Sequence, residues 1–186
     1  MTDAKAWGTL IDNRTVRFER LLPGPIERVW KYLTDAELRG LWFAAGPMEP
    51  RVGGAMNIVF DNNNLGPHPS SPPERFRQYG GTFESKHIVT IYEPPHRLGF
   101  TWDDDMDPKG SVVEIELTAE GDKVRLVLTH RRVSSIGDAI NFSGGWHTHL
   151  AMLAEQLEGN PKTPFWDAFD GIEDEYRQRY TGKAYK

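Results

Sequence analysis

Ser143-Gly144-Gly145-Trp146-His147-Thr148-His149-Leu150-Ala151-Met152-Leu153-Ala154-Glu155-Gln156-Leu157-Glu158-Gly159 is the stretch that decides the fold. Trp146, His149, Leu150, Leu153 and Leu157 recur at the spacing of one apolar stripe on a helix. Ser143 suits an N-cap. Gly159 followed by Asn160-Pro161 is a stop signal. Most of the chain upstream reads as strand. A sheet followed by one long amphipathic helix needs that helix to cover its open face. The functional question is whether the space between helix and sheet is filled or hollow.

Upstream, residues 1–13 read as a weakly structured lead-in. Residues 14–22 alternate, with Val16, Phe18 and Arg20 on one face of a half-buried or edge strand. Leu22-Pro23-Gly24-Pro25 breaks it, and Pro25 suits a first helical position. Ile26, Val29, Trp30 and Leu33 mark a short amphipathic helix. Thr34-Asp35-Ala36-Glu37 has capping-box form for a second, presenting Leu38, Leu41 and Trp42. Residues 48–52 read as a short strand that turns at Gly53-Gly54 into 55–60, where Met56, Ile58 and Phe60 share a face. Residues 61–80, rich in Asn, Pro, Ser and Gly, read as a solvated flap rather than a substrate lid. Residues 81–93 form the longest strand, with a bulge expected where apolar pairs at 88–89 and 91–92 break the alternation. Three further strands carry Leu98, Phe100 and Trp102, then Val113, Ile115 and Leu117, then Val124, Leu126, Leu128 and His130. Glu120-Gly121-Asp122 is the turn between the last two. Residues 134–142 read as a lead-in to the long helix.

Downstream, Phe165, Trp166, Phe169, Ile172, Tyr176 and Tyr180 line one side of a further amphipathic helix. That stripe must be buried on its own domain or across a homodimer. With 186 residues the chain fits one domain with an extension. Net charge of -5 without a basic stripe speaks against nucleic-acid or anionic-membrane partners. There is no cysteine, which excludes disulfides and thiolate catalysis. Neither a signal-peptide run at the start nor a membrane-spanning apolar stretch is present, so the expected location is the cytoplasm.

Several stretches together resemble the START-like helix-grip (SRPBCC) superfamily. They are Pro25-Ile26-Glu27-Arg28-Val29-Trp30, Thr34-Asp35 through Leu41-Trp42, Glu93-Pro94-Pro95-His96-Arg97-Leu98 running into Thr101-Trp102, and Gly144-Gly145-Trp146 through Leu157-Glu158-Gly159. The branch they are most similar to is the bacterial one named after the activator of heat shock protein 90 ATPase. The resemblance implies an α+β helix-grip fold over residues 14–159. A curved antiparallel sheet of about six to seven strands would wrap the long helix, often around an apolar cavity. Residues 160–186 would be a helical extension rather than a second domain. The superfamily implies no fixed catalytic set; its members bind lipids, hormones or polyketides, and some catalyse cyclisation. Fold alone does not assign function.

Three readings follow. The first is a binding protein for a small hydrophobic molecule. Its pocket would be lined by Trp30, Met56, Ile58, Phe83, Phe100, Trp102, Val113, Leu128 and Trp146, with His130 and His149 as polar anchors. The second is a cyclase-type enzyme in which one of those histidines moves a proton. The third is a chaperone-activator-like module with a filled core. For His130 and His149 the weightier reading is a hydrogen-bonded core histidine. His147 should point to a different helix face from His149. His87 would join His130 only if the strand register allowed it. No metal site or cofactor is expected: no histidine pair has helical zinc spacing, and phosphate loops and nucleophile elbows are absent. Asp103-Asp104-Asp105-Met106-Asp107 imitates a calcium loop, but Pro108 stands where that loop needs glycine, so a solvated acidic hairpin is expected.

Overall fold

The computed structural model describes residues 7–103, 106–161 and 163–182. The strands are β1 (Thr9–Asp12), β2 (Thr15–Pro23), β3 (Ala55–Phe60), β4 (Phe83–Glu93), β5 (Arg97–Thr101), β6 (Val112–Glu120) and β7 (Lys123–Arg131). They form one antiparallel sheet in the order β1-β2-β7-β6-β5-β4-β3. The helices are α1 (Ile26–Thr34), α2 (Ala36–Gly40), α3 (Ile136–Leu157), α4 (Phe165–Phe169) and α5 (Ile172–Thr181). This is the α+β helix-grip architecture, with α3 held in the curve of the sheet.

Register explains the core. Val16 and Val113 both pair with His130, Phe18 and Ile115 with Leu128, and Leu98 with Ile115. Directly paired residues share a face, so these side chains form one inward layer. All are buried, and Leu150 and Leu153 of α3 are buried in the same cluster. The middle of the concavity is therefore solid. The β4–β5 ladder shifts register between Val89 and Ile91, where the apolar pairing predicts a bulge.

Several local expectations change. The long helix starts eight residues earlier than expected. Ser135 is its N-cap, its Oγ accepting from the Asp138 N–H at 3.0 Å. Ser143 instead lies inside the helix, 2.9 Å from the Tyr180 hydroxyl. The lead-in before Arg14 contains β1. Pro25 is the N-cap of α1 rather than its first residue. Asp35, not Thr34, caps α2 by accepting from the N–H groups of Glu37 and Leu38. The residue that α2 buries is Arg39, while Leu41 is exposed. Residues 48–52 form no strand, only an isolated bridge from Met48 to Met56. Segment 61–80 is not simply solvated: it holds a 3-10 turn, Glu74–Tyr79, and buries Leu65 and Phe76. In the acidic hairpin, Asp104 and Asp105 lie outside the described residues. Asp103 and Asp107 accept hydrogen bonds from the N–H groups of Ser111 and Lys109.

The C-terminal helices dock on their own domain. The Tyr176 hydroxyl accepts from the Gly8 N–H at 2.7 Å, and Phe165, Trp166, Phe169, Tyr176 and Tyr180 are all buried. Close approach of α5 to α3 depends on Gly144. A Cβ there would lie 3.0 Å from Phe169 Cε2 and 3.3 Å from Glu173 Cβ. Gly145, one residue on, has nothing within 4 Å of the same position. Gly144→Val should thus lower unfolding free energy by about 1–3 kcal/mol through overpacking. Gly145→Ala should raise it by about 0.5–1 kcal/mol by reducing helix entropy cost. Urea denaturation of both variants checks the contrast; equal effects would contradict this account of the α3–α5 contact.

Candidate functional site

The unfilled space is not under the middle of the sheet but at its β3–β4 edge. A cleft of about 490 Å³ opens there, within the size range of small-molecule sites. Helix α3 supplies one wall with Asn141, Phe142, Gly145, Trp146 and His149. The sheet edge and the preceding loop supply Phe43, Phe60, Phe83 and Trp102. The third wall is Phe76, Gln78 and Tyr79 from the 3-10 turn, facing Phe165, Trp166 and Phe169 of α4. Phe43 stacks on Trp146 at 5.1 Å and meets Phe60 edge-on at 5.1 Å, a geometry aromatic quadrupoles favour.

The two closing segments are tied to each other. The Phe165 N–H donates to the Leu65 carbonyl at 2.9 Å, and Trp166 Nε1 donates to Asn63 Oδ1 at 2.8 Å. Arg75 grips Asp174 with two bonds of 2.6 and 3.0 Å, and these hydrogen bonds, with the guanidinium charge behind them, hold that carboxyl below its ordinary range. Gly66, at φ 122, lets this strap pass close to Pro164, whose Cα would be 2.7 Å from a Cβ.

The expected site residues divide into three groups. Phe83, Trp102, Trp146 and His149 line the cleft, with Phe83 at its mouth and 59% exposed. Met56 and Phe100, together with Trp146, border only a void of about 10 Å³ beside Trp42, no larger than one water. Trp30, Ile58, Val113, Leu128 and His130 are buried core residues outside the cleft lining. The reason is the α3 stripe, which fills the concavity that these residues face. Trp30 lies on α1 with its ring 5.6 Å from Tyr92. The rings of Phe43, Phe76, Phe165, Trp166 and Phe169 were not foreseen. The 165–180 stripe was visible in the sequence, but its place against the 3-10 turn was not.

The histidines differ in kind. His130 has both nitrogens committed: Trp146 Nε1 donates to Nδ1 at 3.2 Å, and Nε2 lies 2.6 Å from Ser111 Oγ. An indole N–H can only donate, so Nδ1 is bare and the hydrogen sits on Nε2. Burial pushes the His130 pKa down to about 3, and Phe142 stacks over the ring at 4.9 Å. His130 is a structural core histidine. His149 is 4% exposed and turns Nδ1 to the Trp42 carbonyl at 2.9 Å. Burial lowers its pKa to about 4 against the opposing pull of that carbonyl. His147 points to the opposite side, its Nδ1 3.0 Å from the Tyr176 hydroxyl and its ring against Trp7. Burial, then Arg20 and Arg179, lower its pKa to about 4. His87 bonds Ser85 Oγ through Nε2 at 2.6 Å, and Trp102 lies between its ring and that of His130. Among the described residues no three His, Asp or Glu side chains gather into a metal-binding group.

Position 149 is set by Arg39, which is 1% exposed. Its guanidinium donates to the carbonyls of Ala44 at 3.0 Å and Thr34 at 3.4 Å, and to that of Gly46. Burial lowers its pKa to about 10, against the pull of Asp35. These bonds fold the loop carrying Trp42 and Phe43 back onto α3, while Trp42 Nε1 donates to the Tyr32 carbonyl at 2.8 Å.

Sheet, grip helix and edge cleft define a START-like helix-grip protein of the SRPBCC superfamily. The family model described as Activator of Hsp90 ATPase homolog 1-like protein matches residues 23–158, and the chain belongs to that family. It is similar to the solution structure of the protein encoded by gene BPP1335 of Bordetella parapertussis. The two share 38% identity with a TM-score of 0.77, over 96% of this chain and 95% of that one. CalU16 from Micromonospora echinospora shares the fold at 21% identity and TM-score 0.63, over 97% and 96% of the two chains. DynU16, from the dynemicin biosynthetic locus, matches at 20% identity and TM-score 0.60, over 81% of this chain and 49% of that one. No curated protein matches the sequence. Among the described residues no helix is long and apolar enough to cross a membrane.

Two measurements test the site. The three shifted histidines have folded pKa values below the ordinary 6.5. As pH falls through about 6.5 the unfolded chain takes up protons that the folded chain refuses, so stability drops until the folded values near 4 and 3 are reached. The slope is at most about 1.4 kcal/mol per pH unit for each histidine. Urea midpoints should therefore be clearly lower near pH 5 than near pH 7, where carboxylates stay ionised; equal midpoints would refute the buried neutral rings. Arg39→Met should cost roughly 3 kcal/mol or more by orphaning carbonyls, read by the same denaturation.

Proposed function

We propose that the protein binds a small, uncharged hydrophobic molecule in the edge cleft, with the ligand's rings packed among Phe43, Trp146, Phe165 and Trp166. The observation that carries this reading is an unfilled aromatic cleft whose lining, among the described residues, holds no Asp, Glu, Lys or Arg. A fatty-acid carboxylate or a phosphate would find no cation there, and an ammonium would find no carboxylate. The helix-grip superfamily that the sequence resembles includes binders of lipids, hormones and polyketides, which fits a hydrophobic ligand. A ring system the size of an indole buries about 200 Å², roughly 5 kcal/mol at 25 cal/mol per Å². That corresponds to dissociation constants of order 0.1 mM for two-ring compounds.

Binding is favoured over the cyclase reading because His130, one of the two candidate proton carriers, is sealed behind Phe142 with both nitrogens occupied. The filled-core interaction module is disfavoured by the cleft itself. Gly145 offers a direct test, since it lines the cleft and a Cβ there meets nothing within 4 Å. Gly145→Phe should fill the cleft without disturbing the fold. Nile red, a neutral dye, should brighten saturably with the wild-type protein and lose most of that response with the variant at unchanged melting temperature. 2-Methoxynaphthalene should displace the dye better than 2-naphthoate. Undiminished dye binding by a folded Gly145→Phe protein would move the site elsewhere.

A further inference from the structure

We propose that the cleft selects neutral aromatic compounds carrying a hydroxyl donor, of the phenol or enol class, and that His149 Nε2 is the atom that reads this donor. The inference deepens the cleft-binding reading and rests on it.

A backbone carbonyl can only accept. With Nδ1 2.9 Å from the Trp42 oxygen, the hydrogen of the neutral ring is held on Nδ1. Nε2 is left with a bare lone pair. The pKa of about 4 keeps the ring neutral near pH 7, so Nε2 accepts and does not donate. The ring lines the cleft, wedged between Phe43 at 5.1 Å and Phe165 at 4.7 Å. Among the described residues its one hydrogen bond is that to Trp42. The cleft thus has one acceptor in want of a donor, His149 Nε2. The absence of carboxylates removes the reason for a cationic donor, leaving an uncharged O–H as the matching group. Its aromatic body matches the rings on either side of His149.

The wild-type protein is titrated with 2-naphthol and with 2-methoxynaphthalene, which keeps the ring system and blocks the donor. 2-Naphthol should bind roughly three- to tenfold more tightly, the range one neutral hydrogen bond supplies. The gap should close in His149→Phe. In ¹⁵N-labelled wild-type protein the unprotonated Nε2 signal should move upfield with 2-naphthol and not with the ether, a readout that does not depend on the variant folding. Equal binding of both compounds with an unmoved Nε2 signal overturns the donor inference and leaves the cleft reading intact. A preference that survives in folded His149→Phe overturns the assignment to His149. If neither compound perturbs the indole signals of Trp146 and Trp166, the cleft reading falls, and the inference with it.

Discussion

Burying a guanidinium is costly unless its N–H groups are matched, and Arg39 is matched by backbone carbonyls of a single loop and its approach. That constraint reaches the site through a short chain of contacts. The loop is pinned, the Trp42 carbonyl is aimed at α3, His149 takes one tautomer, and Phe43 is pressed onto Trp146. Arg39 itself does not line the cleft, yet it sets the polarity of the one imidazole that does. Pre-organisation of this kind lowers the cost of ordering side chains when a ligand enters.

Helix α3 does three jobs on different faces. Leu150 and Leu153 close the sheet's concavity, while Ser143, Gly144 and His147 receive α5. Gly145, Trp146 and His149 are left for the cleft. Two histidines two positions apart therefore serve unrelated ends: His147 helps dock the C-terminal helix, and His149 faces the unfilled space. The packed middle and the open edge are consequences of one helix being long enough to outrun the apolar layer it covers.

Strands β2 to β7, α1 and the grip helix are legible in the sequence because each repeats apolar residues at a period set by backbone geometry; the short, mostly exposed β1 carries no such repeat. The helix start was misplaced because Ser143 ahead of two glycines looked like a cap, whereas Ser135 with Asp138 three residues later carried the actual signal. Arg39 could not be anticipated: a charged residue in a five-residue helix reads as solvated, and only loop closure shows its carbonyl partners. Trp102, Trp146, His149 and Phe83 could be placed near a hollow from strand and helix phase. Phe43, Phe76 and the α4 rings could not, because they come from a loop, a 3-10 turn and a segment about a hundred residues from the turn it faces. Val113, Leu128 and His130 were assigned the correct inward face, but facing inward does not separate a filled region from an empty one.

The strap between segment 61–80 and α4 has a consequence for how the protein comes into being. Every strand and the whole of the grip helix leave the ribosome before Phe165, Trp166 and Phe169. A nascent chain that has already formed its sheet would present Phe43, Trp102 and Trp146 as an unroofed greasy groove. The chamber is completed only when the last wall arrives, so for that interval the cleft's aromatic lining is a sticky surface exposed to whatever apolar material is near.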